Sequence, residues 1–193
     1  MIADGKRGDV PVSAAAYGDA LFGSTPTPWG EARGLEADAA TLNPLLGSDS
    51  LEPLVDRAAT AGAGIFVLVR TSNAGAADLL DLPVDGVPLH ERIAAQVAAL
   101  ADRLAGSGEL SGAGAVVGAT APRFLARLRG LMPRAVLLLP GVGAQGGSVD
   151  DLGAAFAGPA SALVTASRSV AGSDDPAGAA ESLRRSVWAV SGA

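Results

Sequence analysis

The sequence contains no cysteine, and this absence excludes several kinds of chemistry. Without cysteine, the 193-residue chain has no disulfide, no thiolate nucleophile and no cysteine-ligated metal. It also has a single histidine, His90, which excludes a metal site with several histidine ligands. A catalytic centre in this chain is therefore built from other groups, such as carboxylates, hydroxyls, amides and basic side chains.

Aromatic residues are scarce as well, at 4% of the sequence, which leaves few rings on which bases could stack. The chain has 20 acidic against 14 basic residues, a formal charge of −6. This balance argues against a broad nucleic-acid-binding surface, although it permits one local phosphate pocket. At 49%, the hydrophobic content is too high for a disordered chain.

Long hydrophobic runs are missing too. No uninterrupted apolar stretch reaches the roughly 20 residues that a membrane-spanning helix requires. The first residues carry charge almost at once and lack the apolar core of a signal peptide. We therefore expect a cytoplasmic protein without a membrane partner, with residues 1–193 forming a single domain.

What the sequence does contain is an alternation of short apolar runs and longer amphipathic ones. Six runs predict strands: Met1–Asp4, Asp38–Leu42, Gly64–Val69, Ala115–Gly118, Ala135–Leu139 and Ser161–Thr165. Five segments have helical patterns: Ser48–Thr60, Pro88–Leu104, Ala121–Leu131, Ser148–Ala157 and Pro176–Val190. Strands that alternate with helices in this way predict an α/β fold with a parallel sheet.

A glycine-rich turn favours a barrel over a doubly wound open sheet. No G-x-G-x-x-G follows the first predicted strand, whereas Pro140–Gly147 follows the penultimate one. Barrels commonly bind phosphate after their last two strands. The amides of Gly141–Gly147, the start of the helix predicted from Ser148, and Arg168 would together suit a phosphate. The alternative is a tight turn and a solvated arginine.

Charged residues cluster at the end of the first predicted strand. Asp4 and Lys6 are two residues apart, so both side chains should lie on one face, and Asp9 follows within reach. Two carboxylates beside an ammonium keep all three groups charged and leave a proton donor near a reacting carbon. A surface cluster of ion pairs explains the same residues about equally well. His90 lies early in a predicted helix, away from strand ends, and is expected to be structural or exposed.

Together these motifs resemble the orotidine 5′-phosphate decarboxylases. Asp4–Asp9 resembles that family's D-x-K-x-x-D signature, in the D-x-K-R-G-D form of its longer bacterial branch. Val69–Asn73 resembles the T-S-N segment, Pro140–Gly147 the phosphate-gripper loop, and Ala166–Ser169 the end of the eighth strand. The resemblance extends from Met1 to about Val190, nearly the whole chain.

The resemblance implies a (β/α)₈ TIM barrel that forms a homodimer with shared active sites. Such an enzyme converts orotidine 5′-monophosphate to UMP and CO₂ in de novo pyrimidine biosynthesis, with no metal or other cofactor. Carried over by motif, Lys6 would protonate C6 as the carboxylate leaves, with Asp4 and Asp9 forming its charge network. Asp9 would reach into the neighbouring subunit's site, where Ser13 would contact the ribose.

The remaining implied roles concern substrate binding. Ser72 would hydrogen-bond to the pyrimidine edge, Pro140 and Val142 would line the pocket near the departing carboxylate, and Gln145 and Arg168 would hold the phosphate. Remote binding of the phosphate would help to stabilise a carbanion-like transition state at C6.

The chain departs from the family pattern at its start. The family barrel has two further βα units before the D-x-K-x-x-D strand, and these supply an Asp that contacts the ribose and a second Lys beside the cluster. The six predicted units would correspond to strands 3–8. Neither of the two further units has a place in this chain, because Asp4 lies at its very start. We therefore expect that Met1 is an internal methionine and that the natural protein carries roughly 80 more residues upstream.

Two other functions are compatible with these motifs. The chain could be a non-catalytic phosphate- or nucleotide-binding remnant of the same barrel. It could instead resemble a related sugar-phosphate decarboxylase or aldolase that shares D-x-K-x-x-D but uses Mg²⁺. The T-S-N segment favours the pyrimidine substrate over the second alternative.

Overall fold

Ten strands and seven α-helices occur in the computed structural model, which describes residues 1–192. The strands are β1 (Ile2–Arg7), β2 (Ser24–Thr27), β3 (Gly30–Arg33), β4 (Ala39–Leu42), β5 (Gly64–Arg70), β6 (Pro83–Val84), β7 (Val87–Pro88), β8 (Ser111–Val117), β9 (Ala135–Leu139) and β10 (Ala162–Val164). The helices are α1 (Pro11–Phe22), α2 (Ser48–Ala61), α3 (Ala76–Leu80), α4 (Leu89–Ala99), α5 (Leu125–Leu131), α6 (Arg168–Ala171) and α7 (Pro176–Val190). Three short 3₁₀ helices cover Pro122–Phe124, Val149–Ala155 and Pro159–Ser161.

Six of the strands form one parallel sheet in the order β1-β4-β5-β8-β9-β10. Each strand therefore lies beside the one that precedes it along the chain, apart from the small hairpins, as in a sheet that winds toward a barrel. This confirms the predicted α/β class and its parallel sheet. All six predicted strands are present, with ends displaced by up to four residues.

The alternation of side chains along the strands separates two apolar layers. On β5, Ile65 and Val67 are fully buried against the helices, in the larger core. Phe66 points to the opposite face, where it packs with Val116 and Leu138 in a smaller cluster. In a sheet that curls toward a barrel, the face opposite the helices turns inward, and the smaller cluster lies on this inner face.

The sheet has β1 at one edge and β10 at the other. Leu163 on β10 pairs in register with Leu138, yet 43% of Leu163 is exposed because β10 has no neighbour on its outer side within residues 1–192. Unpaired edges of this kind leave backbone donors and acceptors available to another strand.

The helices largely follow the predicted pattern. On α2, the buried residues Leu51, Leu54, Val55 and Ala58 recur at the spacing of one helical face. α2 ends at Gly62, whose positive φ of 66° suits a residue without a side chain.

Two expectations about local structure are wrong. The segment predicted as a helix from Ser148 is the 3₁₀ helix Val149–Ala155, because Gly153 interrupts it and Gly158 and Pro159 soon follow. The helix predicted to end at Leu104 ends at Ala99. Leu104 lies in a turn, but because it is buried, its position in the sequence matches the spacing of a helical face.

The segment Gly23–Leu35 contains the antiparallel hairpin of β2 and β3. The domain predicted for residues 1–193 ends at Ala193, which lies outside the described residues. Within residues 1–192, no helix has the length and apolar character needed to span a bilayer.

Candidate functional site

The carboxyl ends of the parallel strands surround one open cavity of about 630 Å³. Its walls come from β1, β5, β8, β9 and the segments that follow β5, β9 and β10. Seven of the predicted site residues line it: Asp4, Lys6, Ser72, Pro140, Val142, Gln145 and Arg168. Because the sheet curls, residues at the beginning and near the end of the chain meet at this one cavity.

Asp4 and Lys6 form an ion pair on the cavity wall. The Lys6 Nζ donates to Asp4 Oδ1 at 2.6 Å, and the Thr41 hydroxyl donates to the same oxygen at 2.9 Å. These hydrogen bonds, led by the one from Lys6, hold the pKa of Asp4 below its ordinary value. Asp4 is therefore an ionised partner in the ion pair with Lys6.

The backbone around this pair is irregular. Lys6 has a φ of 48°, in the left-handed region that side chains rarely adopt, and its amide donates to Thr41 Oγ1 at 2.9 Å. The pairing of β1 with β4 shifts register between Ala3 and Arg7. Bulges and strained residues are concentrated next to functional sites, where they redirect a side chain.

Two features of this pair were not recognised from the sequence. Thr41 lies far from Asp4 along the chain, and its only sequence signal is that it is the one polar residue of β4. Lys6 is the only lysine of the chain, since the other 13 basic residues are arginines. The composition alone shows that Lys6 is a single lysine among arginines, and this signal could have drawn attention to it.

Asp9 and Ser13 do not line the cavity of their own chain. The Asp9 carboxylate accepts a hydrogen bond from the Val10 amide at 2.7 Å, next to the start of α1, and forms no ion pair with Lys6 within residues 1–192. Ser13 lies half-buried in the first turn of α1. Within one chain, then, the charged pair is Asp4 with Lys6, and Asp9 does not join it.

Ser72 lies in the segment that follows β5, and its backbone is tightly enclosed. Its carbonyl accepts a hydrogen bond from the Thr120 hydroxyl at 2.9 Å. A Cβ atom on Gly118 would lie 2.6 Å from Ser72 Cα, so only glycine permits this approach. The side chain of Ser72 is thereby presented at the cavity from a rigid support.

The loop from Pro140 to Gly147 closes another side of the cavity. Three of its glycines have positive φ: Gly141 at 103°, Gly143 at 72° and Gly146 at 90°. The loop is tied internally, because the Gly147 amide donates to Gly141 O at 3.0 Å and the Gly146 amide to Gly143 O at 2.8 Å. Ala144 and Gln145, within this loop, line the cavity.

The amides of Ala144 and Gln145 donate to no other atom of residues 1–192. Arg168, the first residue of α6, is exposed and forms no ion pair in the same part of the chain. Unused amides beside an unpaired guanidinium are a suitable environment for a phosphate. The 3₁₀ helix Val149–Ala155 follows the loop, so the α-helix N-terminus that was expected at Ser148 is not present.

His90 lies outside this site. It is 1% exposed, it packs on the ring of Phe124 at a centroid distance of 4.6 Å, and its Nδ1 donates to the Leu80 carbonyl at 2.8 Å. Of the two roles expected for His90, structural or exposed, the structural one is therefore correct. Over residues 1–192, no group of three or more His, Cys, Asp or Glu side chains is arranged to hold a metal ion.

Comparison with known proteins gives a consistent result. The family model described as "Orotidine 5'-phosphate decarboxylase / HUMPS family" matches residues 1–183. The chain is 47% identical over 174 residues to an orotidine 5′-phosphate decarboxylase of Rhodopirellula baltica, covering 88% of this chain and 56% of that protein. It is 46% identical over 172 residues to a decarboxylase of the same name from Deinococcus radiodurans, covering 88% and 58%.

A solved structure, that of the Leishmania donovani OMP decarboxylase, matches with a TM-score of 0.78 and 35% identity, over 100% of this chain and 68% of that one. The chain thus spans less than two thirds of the length of the two curated relatives named above, 56% and 58%. The match covers β1 to most of α7, including every strand of the curled sheet. The resemblance seen in the motifs is confirmed, and the chain belongs to the orotidine 5′-phosphate decarboxylase / HUMPS family.

Proposed function

We propose that the protein decarboxylates orotidine 5′-monophosphate to UMP in de novo pyrimidine biosynthesis. One observation carries the proposal. The only lysine of the chain, paired with Asp4 at 2.6 Å, lines the same cavity as Ser72, the Pro140–Gly147 loop and Arg168. A proton donor, a hydroxyl that can bind a base and a phosphate site are thus available to a single nucleotide.

In the proposed reaction, the bond between C6 and the carboxylate carbon breaks and CO₂ leaves. The electron pair stays on C6, and the Lys6 ammonium supplies the proton that forms the C–H bond of UMP. Lys6 is then reprotonated from water. Because the hydrogen bond to Asp4 holds the Lys6 ammonium at the cavity wall, this group is in place before negative charge develops at C6. Preorganised electrostatics of this kind lower a barrier.

The rest of the cavity would bind the nucleotide. Gln145 and Arg168 would hold the phosphate and Ser72 the pyrimidine edge. Pro140 and Val142 offer an apolar surface near the departing group, which suits neutral CO₂ better than a carboxylate. Phosphate binding far from C6 would contribute to the chemical step, since binding energy at a remote group can be used at the reacting centre.

We further propose that residues 1–193 are a single, partial barrel domain whose six parallel strands correspond to strands 3–8 of an eight-stranded barrel. The unpaired edges of β1 and β10 leave room for two more βα units, which upstream sequence would supply. The active form would be a cytoplasmic homodimer in which Asp9 and Ser13 serve the partner's site. It would use no cofactor and bind neither nucleic acid nor membrane.

The test is turnover by the natural full-length protein that contains this chain, followed as the loss of orotidine 5′-monophosphate absorbance. We expect CO₂ release that persists after treatment with EDTA. Activity that depends strictly on added Mg²⁺, with a sugar phosphate as the better substrate, would contradict the proposal. So would tight binding of UMP without any turnover, which is the behaviour of a non-catalytic remnant.

A further inference from the structure

Arg70 is a buried arginine directly behind the cavity. It is the last residue of β5 and precedes the segment that contains Ser72, and its side chain is 6% exposed. Its Nη1 donates to the carbonyl of Thr71 at 2.7 Å. The side chain does not line the cavity, so it acts on the site through the backbone of its neighbour.

Asp81 determines where the Arg70 guanidinium points. Asp81 Oδ1 accepts from Arg70 Nε at 2.7 Å, and Oδ2 accepts from Nη2 at 3.1 Å, a two-bonded pair. The hydrogen bonds from Arg70 hold the pKa of Asp81 below its ordinary value, with smaller contributions from His90 and Arg123. The carboxylate remains charged, and the direction of the third bond, to Thr71, follows from the planar guanidinium.

A second support acts on the next residue. The Thr120 hydroxyl donates to the carbonyl of Ser72 at 2.9 Å, and the Gly118 amide donates to the carbonyl of Arg70 at 2.7 Å. Three successive carbonyls, those of residues 70 to 72, are therefore each held by a donor. A segment held at consecutive peptide groups has little freedom to rotate, so the direction of the Ser72 side chain is determined by these bonds.

We propose that Arg70 and Thr120 are positioning residues that aim Ser72 at the pyrimidine and so determine selectivity for the base. The proposal rests on the proposed function, in which Ser72 contacts the base and Arg168 the phosphate. Arg70 would not touch the substrate. Its contribution would be limited to ligands that carry a pyrimidine, and ligands that offer only a phosphorylated sugar would not sense it.

The experiment compares dissociation constants for UMP and for ribose 5-phosphate in the natural full-length protein. Arg70→Met should weaken UMP about tenfold or more, because a misplaced hydroxyl loses one hydrogen bond and leaves a polar group unpaired. The dissociation constant for ribose 5-phosphate should change by less than about twofold, because substitutions rarely alter binding at an independent site by more than this. Arg70→Lys keeps the charge but lacks the planar guanidinium, so its dissociation constant for UMP should lie between those of the unmutated protein and Arg70→Met.

Arg103→Met is the matched control, because Arg103 also pairs with two carboxylates, those of Glu52 and Asp56, but lies far from Ser72 in the fold. It should leave both dissociation constants unchanged. Thr120→Val removes only the hydroxyl bond to Ser72 and hardly alters volume. It should therefore weaken UMP selectively even if Arg70→Met does not fold.

The outcomes separate the two levels of the proposal. If the unmutated protein binds UMP no better than ribose 5-phosphate, the pyrimidine assignment itself fails. If the unmutated protein prefers UMP and both Arg70→Met and Thr120→Val keep that preference, the positioning role is overturned. Equal weakening of both ligands in these variants would also overturn it, because that is the result of a general structural loss.

Discussion

The exposure of the ion pair between Lys6 and Asp4 favours a functional role for the pair over a structural one. Their side chains are 50% and 61% exposed, so solvent screens the pair strongly. An exposed pair contributes little to folding stability. The left-handed backbone of Lys6, in contrast, costs stability, so the geometry at this residue has to be maintained by its surroundings, notably by Thr41.

Replacing Lys6 with alanine should abolish decarboxylation and leave UMP binding largely intact. The ammonium is the proposed proton donor, whereas the phosphate contacts come from other residues. Single-turnover assays and UMP titration measure the two effects separately. Lys6→Arg is the matched control: it preserves the charge beside Asp4 but releases no proton near neutral pH, so it too should be inactive. A kcat for Lys6→Ala within about tenfold of the unmutated value would mean that Lys6 is not the donor.

Replacing Arg168 with alanine should weaken UMP binding by about 1.5–3 kcal/mol, the usual contribution of hydrogen bonds to a charged group. Uridine binding should not change, since uridine has no phosphate. Calorimetric titration with both ligands provides the measurement. Arg185→Ala, which removes an exposed arginine paired with Glu181 on α7, is the control and should affect neither ligand. Equal affinity of the unmutated protein for UMP and uridine would refute the phosphate assignment.

At the scale of elements, the inner face of the sheet depends on a glycine in β8. A Cβ atom on Gly114 would lie 2.6 Å from Phe66 Cδ1 and 2.7 Å from the Val136 carbonyl. The small residues that begin β8 carry little strand signal, which is why the predicted strand starts four residues late. Gly114 leaves room for the Phe66 ring.

Gly114→Ala should therefore destabilise the protein by about 1–3 kcal/mol, the typical cost of overpacking a core. Chemical denaturation measures this free energy of unfolding. The control is Gly130→Ala on α5, where an added Cβ would meet nothing within 4 Å. That change should stabilise by about 0.5–1 kcal/mol, because alanine loses less backbone entropy than glycine in a helix. Equal effects of the two substitutions would contradict the packing argument.

The central strands β4, β5, β8 and β9 were predictable because both of their faces are largely buried. Such burial produces continuous apolar runs, of which Gly64–Val69 is an example. The elements that were wrong depend on non-local contacts or on small residues. Leu104 is a buried residue that lies in a turn, and Gly153 limits Val149–Ala155 to a 3₁₀ helix. Local periodicity does not distinguish these cases from an α-helix.

At the scale of the whole molecule, the proposed dimer would divide its site residues between two chains. Within residues 1–192, Asp9 forms no ion pair with Lys6, and Val10 and Val12 beside it are 55% and 85% exposed. Exposed apolar residues next to a carboxylate that forms no ion pair are what a shared, symmetric interface would cover.

Mixing two inactive variants tests this arrangement. Lys6→Ala and Asp9→Ala should each lack activity as homodimers. After subunit exchange, a mixed dimer has one intact site if Asp9 serves its partner, and an equimolar mixture should recover about a quarter of the unmutated activity. If Asp9 serves its own chain, every site of the mixture lacks one group and no activity returns. A control mixture of Lys6→Ala with Lys6→Arg should remain inactive in both cases.

The sequence by itself determined the alternation of strands and helices, the two-residue spacing of Asp4 and Lys6, and the glycine-rich loop, because each of these depends on neighbours along the chain. The tertiary structure decided which residues from distant parts of the chain come into contact. The curl of the sheet brings β1 and the segment after β10 to one cavity, and it places Thr41 against Asp4 and Arg70 behind Ser72. These contacts depend on how successive strands twist and pack, which no local pattern encodes.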